Sequence, residues 1–301
     1  MTLKDINIQG WLKDLNDNFD QIIAPVGTCY YVDGNAGSDT NNGLSWSAPF
    51  ATLAAALAAS HANIASKAFG WTARNHIYLK DDENAEDLVL LADKTDVIGV
   101  GSYDRWSQPR ILGNHVPVGT FMGTRFINCH FKSPADGGDI WTIPATVSGL
   151  SFIGCTFDGT STTPATAAIV ATTPGSLTIK GNKFVGDFSD AVIEIAGTGE
   201  AVDLLIADNV IEGANVGIDI KSTITTLQFP SYIKNNCIVT TGVCIDDDSD
   251  NMYIIGNRCI SGAAKGTTGF GVIDGVLAKG QDNRITGSDV NNAVWPAEGL
   301  L

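Results

Sequence analysis

One short phrase recurs seven times along this chain, and it limits the fold more than any other feature. It reads Phe126-Ile127-Asn128-Cys129-His130-Phe131, then Phe152-Ile153-Gly154-Cys155-Thr156-Phe157, then Ile179-Lys180-Gly181-Asn182-Lys183-Phe184. It continues through Ile206-Ala207-Asp208-Asn209-Val210-Ile211, Ile233-Lys234-Asn235-Asn236-Cys237-Ile238, Ile254-Ile255-Gly256-Asn257-Arg258-Cys259 and Gly280-Gln281-Asp282-Asn283-Arg284-Ile285. One column therefore runs Cys129, Cys155, Asn182, Asn209, Asn236, Asn257, Asn283, in steps of 26, 27, 27, 27, 21 and 26 residues. A near-constant period of this size marks a solenoid, in which each unit buries its apolar face only against its neighbours.

The kind of solenoid follows from the phrase itself. Each copy is a short aromatic or β-branched run ending in Gly, Asn or Asp, which reads as a strand and then a turn. Nowhere in the repeats does helical periodicity last long enough for one helix per unit. Such units predict an all-β fold, a right-handed parallel β-helix, with coils about 4.8 Å apart. Stacked Asn side chains can then hydrogen-bond along the axis while holding a turn. Cys129 and Cys155 fit the head of that column as small, buried, weakly polar substitutes.

Charge narrows the partners. The 301 residues carry a formal net charge of -15, which argues against nucleic acid, since phosphate binding needs a basic patch. The 18 Lys and Arg residues form no cluster along the sequence. Six cysteines at 29, 129, 155, 237, 244 and 259 make no CxxC, and four lie inside the repeat phrases. Free buried thiols are the expectation. The first residues hold no apolar signal core, no membrane-spanning run exists, and no Asn-x-Ser/Thr sequon occurs. These features point to synthesis and folding in a cytoplasm, without membrane insertion.

In chain order, residues 1–26 form a first segment. Trp11, Leu12, Leu15, Phe19, Ile22 and Ile23 recur at helical spacing, Asp and Asn occupy the other face, and Pro25 stops the pattern. This stripe either folds back on the solenoid as a lid or docks on a partner. Residues 27–70 read as an opening strand, a Gly/Asn loop and an Ala-rich helix. Residues 71–288 are the coils, and 289–301 a C-terminal cap.

The stretch YYVDGNAGSDTNNGLSWSAPFATLAAAL, from Tyr30 to Leu57, resembles the opening of right-handed parallel β-helix proteins of the pectin-lyase-like superfamily. The resemblance implies that strand, loop and helix plug the N-terminal end of the solenoid. Physically, an open end would expose strand edges and core. Enzymes and phage receptor-binding proteins share this fold. Residues Trp11 to Ile22 resemble the leading segments of phage tail and fibre proteins.

No residue pattern marks a cofactor, and the four His show neither zinc nor catalytic-triad spacing. Asp246, Asp248 and Asp250 open like a calcium loop, but the Gly at the sixth place is missing and Asn257 stands where a bidentate Glu belongs. An irregular calcium site and a solvated acidic turn both remain open. A second column is sharper. Glu194, Asp219, Asp246 and Asp274 each follow an Ile, at steps of 25, 27 and 28. Within strands the Ile faces inward and the acid outward. In-register coils would line these carboxylates up about 5 Å apart, alternates about 10 Å, which brackets glycosidase separations. Lys221, Lys265 and Arg258 are the basic residues that could stand beside them. The competing reading is a solubilising face.

Two functions follow. One is a phage virion subunit, a tail spike, fibre or head decoration protein. It would be attached to other virion proteins through Trp11, Leu15, Phe19, Ile22 and Ile23, form a homotrimer, and meet a host surface glycan. The other is a glycan hydrolase or lyase working through the carboxylate column.

Overall fold

A computed structural model of the chain describes residues 27–67, 73–80, 83–101, 107–133, 137–160, 163–200, 202–221, 223–225, 231–249, 252–261, 273–274 and 284–286. The architecture is the expected parallel β-helix. Every strand pairing among the described residues is parallel, and each strand pairs with its counterpart one coil away. A first ladder runs through Cys29–Val32, Asn75–Lys80, Thr95–Val100, Arg125–Ile127, Val147–Ile153, Gly175–Lys180, Leu205–Ala207, Tyr232–Lys234 and Tyr253–Ile255. A second runs from Glu83–Ala85 through His130–Lys132 and Lys183–Val185 to Arg284–Thr286. A third stacks Trp141–Ile143, Ile169–Thr172, Phe188–Ala196, the end of Val210–Ile220, Ile245–Asp247 and Ile273–Asp274.

Alternation explains the core. On each ladder every second residue points inward, so like stacks on like. Phe126 stacks on Phe152 at 5.7 Å, and Phe157 lies between Phe131 at 5.2 Å and Phe184 at 4.7 Å. Trp141 and His115 fill the remaining space at that end, both fully buried. Farther along the axis the aromatic core gives way to Ile206, Ile211, Ile218, Ile233, Ile238 and Ile254.

The recurring phrase turns out to be a corner. Asn128, Gly154, Gly181, Asp208, Asn235 and Gly256 all have φ between 56° and 67°. That left-handed region admits Gly freely and Asn or Asp more readily than other side chains. The residue after each is the column member. Asn209 shows the bonding. Its Oδ1 accepts from the Asn182 backbone N–H (2.9 Å) and Asn182 Nδ2 (3.0 Å). Its Nδ2 donates to Ile179 O (2.9 Å) and Asn236 Oδ1 (2.9 Å). Asn182, Asn236 and Asn257 continue the same pattern. Cys155 donates its N–H to Asn182 Oδ1 at 2.8 Å, and its thiol lies 3.4 Å from Phe126 O in the coil before. Cys129 heads the column, also buried, and all six cysteines are free thiols. Asn283 lies outside the described residues.

The expected plug is α1 (Leu53–Ala65), longer by a turn than the Ala-rich run suggested. Leu53, Ala56, Leu57, Ser60 and Ile64 form its buried face. Its N-terminus is capped twice. Thr52 accepts from Ala55 N–H at 3.2 Å, and the Glu86 carboxylate, from another coil, accepts from Leu53 N–H at 2.8 Å and Ala54 N–H at 2.9 Å. Buried Asn75 ties α1 to the first ladder through Ser60 and Asn63. Glu86→Ala should cost about 1 to 2 kcal/mol by leaving two N-terminal amides uncapped. Amide exchange at Leu53 and Ala54 should rise by at least tenfold. Unchanged exchange there would show that water replaces the cap at no cost.

The apolar run Leu88-Val89-Leu90-Leu91 reads as a strand by composition. Leu88–Leu91 is not a strand, although Leu88 and Leu91 are buried. The Leu88 N–H bonds to His115 Nδ1 at 3.1 Å, so a side chain replaces the ladder carbonyl. Residues 1–26 and 289–301, including Trp11, Leu15, Phe19, Ile22 and Ile23, lie outside the described residues. Among the described residues, no helix is long and apolar enough to cross a membrane.

Candidate functional site: an in-register carboxylate column

The third ladder brings the four acids together in backbone register. Val170 pairs with Glu194, Glu194 with Asp219, Asp219 with Asp246, and Asp246 with Asp274. The Ile before each of the first three, Ile193, Ile218 and Ile245, is fully buried. Glu194, Asp219 and Asp246 therefore take the outward positions, on rungs about 4.8 Å apart. For Asp274 the backbone register is what is described.

Exposure is uneven along the column. Glu194 and Asp246 are half-buried, whereas Asp219 is only 6 % exposed. The reason is Lys221, two residues on and therefore on the same outer face, whose Nζ donates to Asp219 Oδ2. Of the two basic residues singled out that are described, Lys221 is the one the fold delivers to the column. Arg258 lies on the second ladder, and Lys265 is outside the described residues.

Two further acids join that no spacing rule marked. The register of Phe188–Ala196 against Val210–Ile220 shifts between Phe188 and Ala191, and Asp190 sits within that irregularity. Bulges re-aim side chains, and this one sets Asp190 close enough to act on Glu194, Asp139 and Lys221. Asp139 lies two coils before it, bonded by Thr142 Oγ1 at 3.2 Å. Neither fits an Ile-acid column, because one sits in a bulge and the other precedes its strand.

The charges pull these groups apart. Burial pushes the Glu194 carboxyl above the usual carboxylate range; Lys221 opposes this, while Asp219, Asp190 and Asp139 add to it. Asp139 is raised first by burial and also by Asp190, against its hydrogen bonds from Thr142 and Ala167. The Lys221 ammonium is held above its ordinary range by the Asp219 hydrogen bond, with Glu194 and Asp190 contributing. The face thus offers a carboxyl that burial makes easier to protonate beside an ion-paired carboxylate.

In the calcium-like turn, Asp247 gathers hydrogen bonds. Its Oδ1 accepts from Ser249 Oγ at 2.6 Å and Ser249 N–H at 3.2 Å, and its Oδ2 from Met252 N–H at 3.3 Å. Asp246 belongs to the column, Asp248 is exposed, and Asp250 is outside the described residues. Among the described residues, no three His, Cys, Asp or Glu side chains are grouped to hold a metal ion.

No protein-family model matches this chain. No curated protein matches it either. Among solved structures, a rhamnogalacturonan lyase aligns with a TM-score of 0.42 and 9% identity, over 79% of this chain and 75% of that one. This is a distant likeness, and the chain's identification as a parallel β-helix stands on its own strand pairing.

Proposed function

We propose that this chain is a spike- or fibre-type virion subunit whose solenoid meets a surface glycan along the Glu194–Asp219–Asp246 face. The glycan part rests on one observation: outward carboxylates on successive rungs, with Lys221 among them. A row of hydrogen-bonding groups along a rigid ladder suits an elongated polyhydroxylated chain. The virion part rests on residues 1–26 and their resemblance to phage tail and fibre segments. In this reading Trp11, Leu15, Phe19, Ile22 and Ile23 fasten the subunit to other virion proteins, since an apolar stripe needs a partner. Trimerisation and synthesis in a bacterial host cytoplasm belong to the same proposal.

A second reading, cleavage of that glycan, is favoured by the contrast between neighbouring carboxyls. Glycosidases divide labour between a carboxylic acid that protonates the leaving oxygen and a carboxylate that attacks or activates water. Glu194, raised by burial, suits the acid, and Asp219 or Asp246 the carboxylate. Capsular or lipopolysaccharide glycans of the host are the substrates to offer.

Wild-type protein should bind such a glycan, and on the second reading shorten it. Glu194→Gln and Asp219→Asn should each lower cleavage by about 100-fold or more, the usual size of a general acid-base contribution, with thermal midpoints little changed. Binding without cleavage would eliminate the second reading and keep the first. Absence of binding to every host glycan would end both. Deleting residues 2–24 should leave a folded solenoid that no longer joins virions; normal occupancy by the truncated protein would refute the anchor.

A further inference from the structure

The sequence shows no basic cluster, yet the fold builds one on the outer face of the first ladder. His76, Asp96 and Arg125 are register partners on successive rungs, and Arg74 reaches in from just before its strand. Asp96 is 3 % exposed and lies beneath the basic groups. Its Oδ1 accepts from Arg74 Nη1 at 2.7 Å and Arg125 Nε at 2.6 Å, and its Oδ2 accepts from Arg125 Nη2. His76 Nδ1 stands 3.5 Å from Asp96 Oδ2 without a hydrogen bond. The Arg74 and Arg125 side chains stay 33 % and 38 % exposed against 4 % for Asp96, so they form the layer facing solvent.

Two details favour an incoming ligand over a simple ion pair. Arg74 Nη1 is also fixed by Gly123 O at 3.0 Å, which leaves Arg74 Nη2 with no acceptor among the described residues. Gly123 adds no side chain beside that donor, and its φ of 80° suits glycine. Beside the arginines runs a half-buried apolar stripe of Tyr78, Ile98, Ile127 and Ile153. Such a floor lowers the local dielectric and strengthens charge-assisted bonds above it. Past Arg125 the same column presents Ser151 and then Thr178, hydroxyls that suit a sugar. One buried carboxylate orienting two guanidiniums also removes much of their flexibility before binding. The nearby Asp93 carboxylate is engaged by Met122 N–H at 2.7 Å.

We propose that Arg74 and Arg125, positioned by Asp96, bind an oxyanion, the acid group of a charged glycan unit whose neighbouring residues lie toward Ser151 and Thr178. The site is on a different face from the carboxylate column, toward the other end of the stack. It stands or falls independently of that column. An acidic unit held here would let a strongly anionic solenoid engage a glycan that its net charge otherwise repels.

Calorimetric titration of the full chain with three probes tests this: a glucuronate-containing oligosaccharide, its carboxyl-reduced counterpart, and inorganic phosphate. The acidic oligosaccharide should bind at least tenfold tighter than the reduced one, and more weakly at higher salt. The double variant Asp96→Asn/Arg125→Gln, which removes both charges together, should lose at least tenfold in affinity. If that variant fails to fold, Arg74→Lys decides, since it keeps the charge and loses the planar fork. Phosphate binding as tight as the oligosaccharide's would support the oxyanion site and assign it to free phosphate. Equal binding of acidic and reduced sugars would overturn the proposal. So would full affinity in the variants, or an equal loss in Lys183→Ala, which removes an exposed cation from another ladder.

Discussion

Asn209→Leu should destabilise the solenoid by about 3 to 5 kcal/mol, the sum of two buried backbone groups losing their partners. Those groups are the Asn182 N–H and the Ile179 carbonyl, both bonded to the Asn209 amide. Asn182 Nδ2 keeps Phe152 O, and Asn236 Oδ1 keeps the backbone N–H of residue 209, so they lose one bond each and not all. Leucine matches asparagine roughly in size but offers neither donor nor acceptor. The comparison that isolates the amide is Asn209→Asp. It retains the acceptor toward Asn182 and loses the donor toward Ile179, at the added cost of a buried charge. Urea midpoints for both variants, read with the wild-type slope, give the result. A loss under 1 kcal/mol for Asn209→Leu would mean that water or a shifted turn replaces the ladder.

Acid should weaken this protein through the buried His115. His115 is fully buried between Phe131 and Trp141, with ring centroids 5.6 and 4.6 Å away. Its Nδ1 accepts from Leu88 N–H, so the neutral ring carries its proton on Nε2. Burial lowers its pKa to about 3. The sign is fixed by which state takes up the proton. Below about 6.5 the unfolded chain protonates this residue and the folded chain does not. Stability is therefore intact above that pH and falls as pH drops toward 3, by about 1.4 kcal/mol per pH unit. His115→Gln can still accept from Leu88 N–H and never titrates. Between pH 7 and pH 4, wild type should lose about 3 kcal/mol more than this variant. Ion-paired carboxylates such as Asp33 and Asp96, which bonded Lys and Arg partners hold low against the effect of burial, contribute equally to both proteins and cancel. Parallel pH profiles for the two proteins would show that His115 is hydrated or protonated in the native state.

The candidate site was half legible. Glu194, Asp219, Asp246 and Asp274 could be aligned from the sequence because an inward Ile beside an outward acid repeats once per coil. Lys221 was one of three basic residues in range, and only its position two residues after Asp219 on the third ladder selects it. Asp190 and Asp139 carry no signal at all. A bulge leaves Asp190 off the period, and bulges follow from local pairing across coils that no single coil encodes. The basic patch was missed for a similar reason. Arg74 and Arg125 stand 51 positions apart in sequence, yet meet on one carboxylate because two coil lengths intervene.

By itself the sequence determined the solenoid, its corner and its core. A period near 27 residues, an Asn column and alternating apolar positions are local properties repeated in every coil, so nearest-neighbour stacking suffices to realise them. The left-handed corner was implicit in Gly, Asn and Asp before each column residue. Tertiary structure decided what depends on contacts between unlike coils. It made Glu86 the cap of α1, put His115 in place of a ladder carbonyl, and gave the calcium-like turn to Asp247. It also buried Asp219 beneath Lys221. A repeat pattern fixes which face a residue occupies, but exposure, protonation and partnership depend on the particular side chains that the stacking brings alongside.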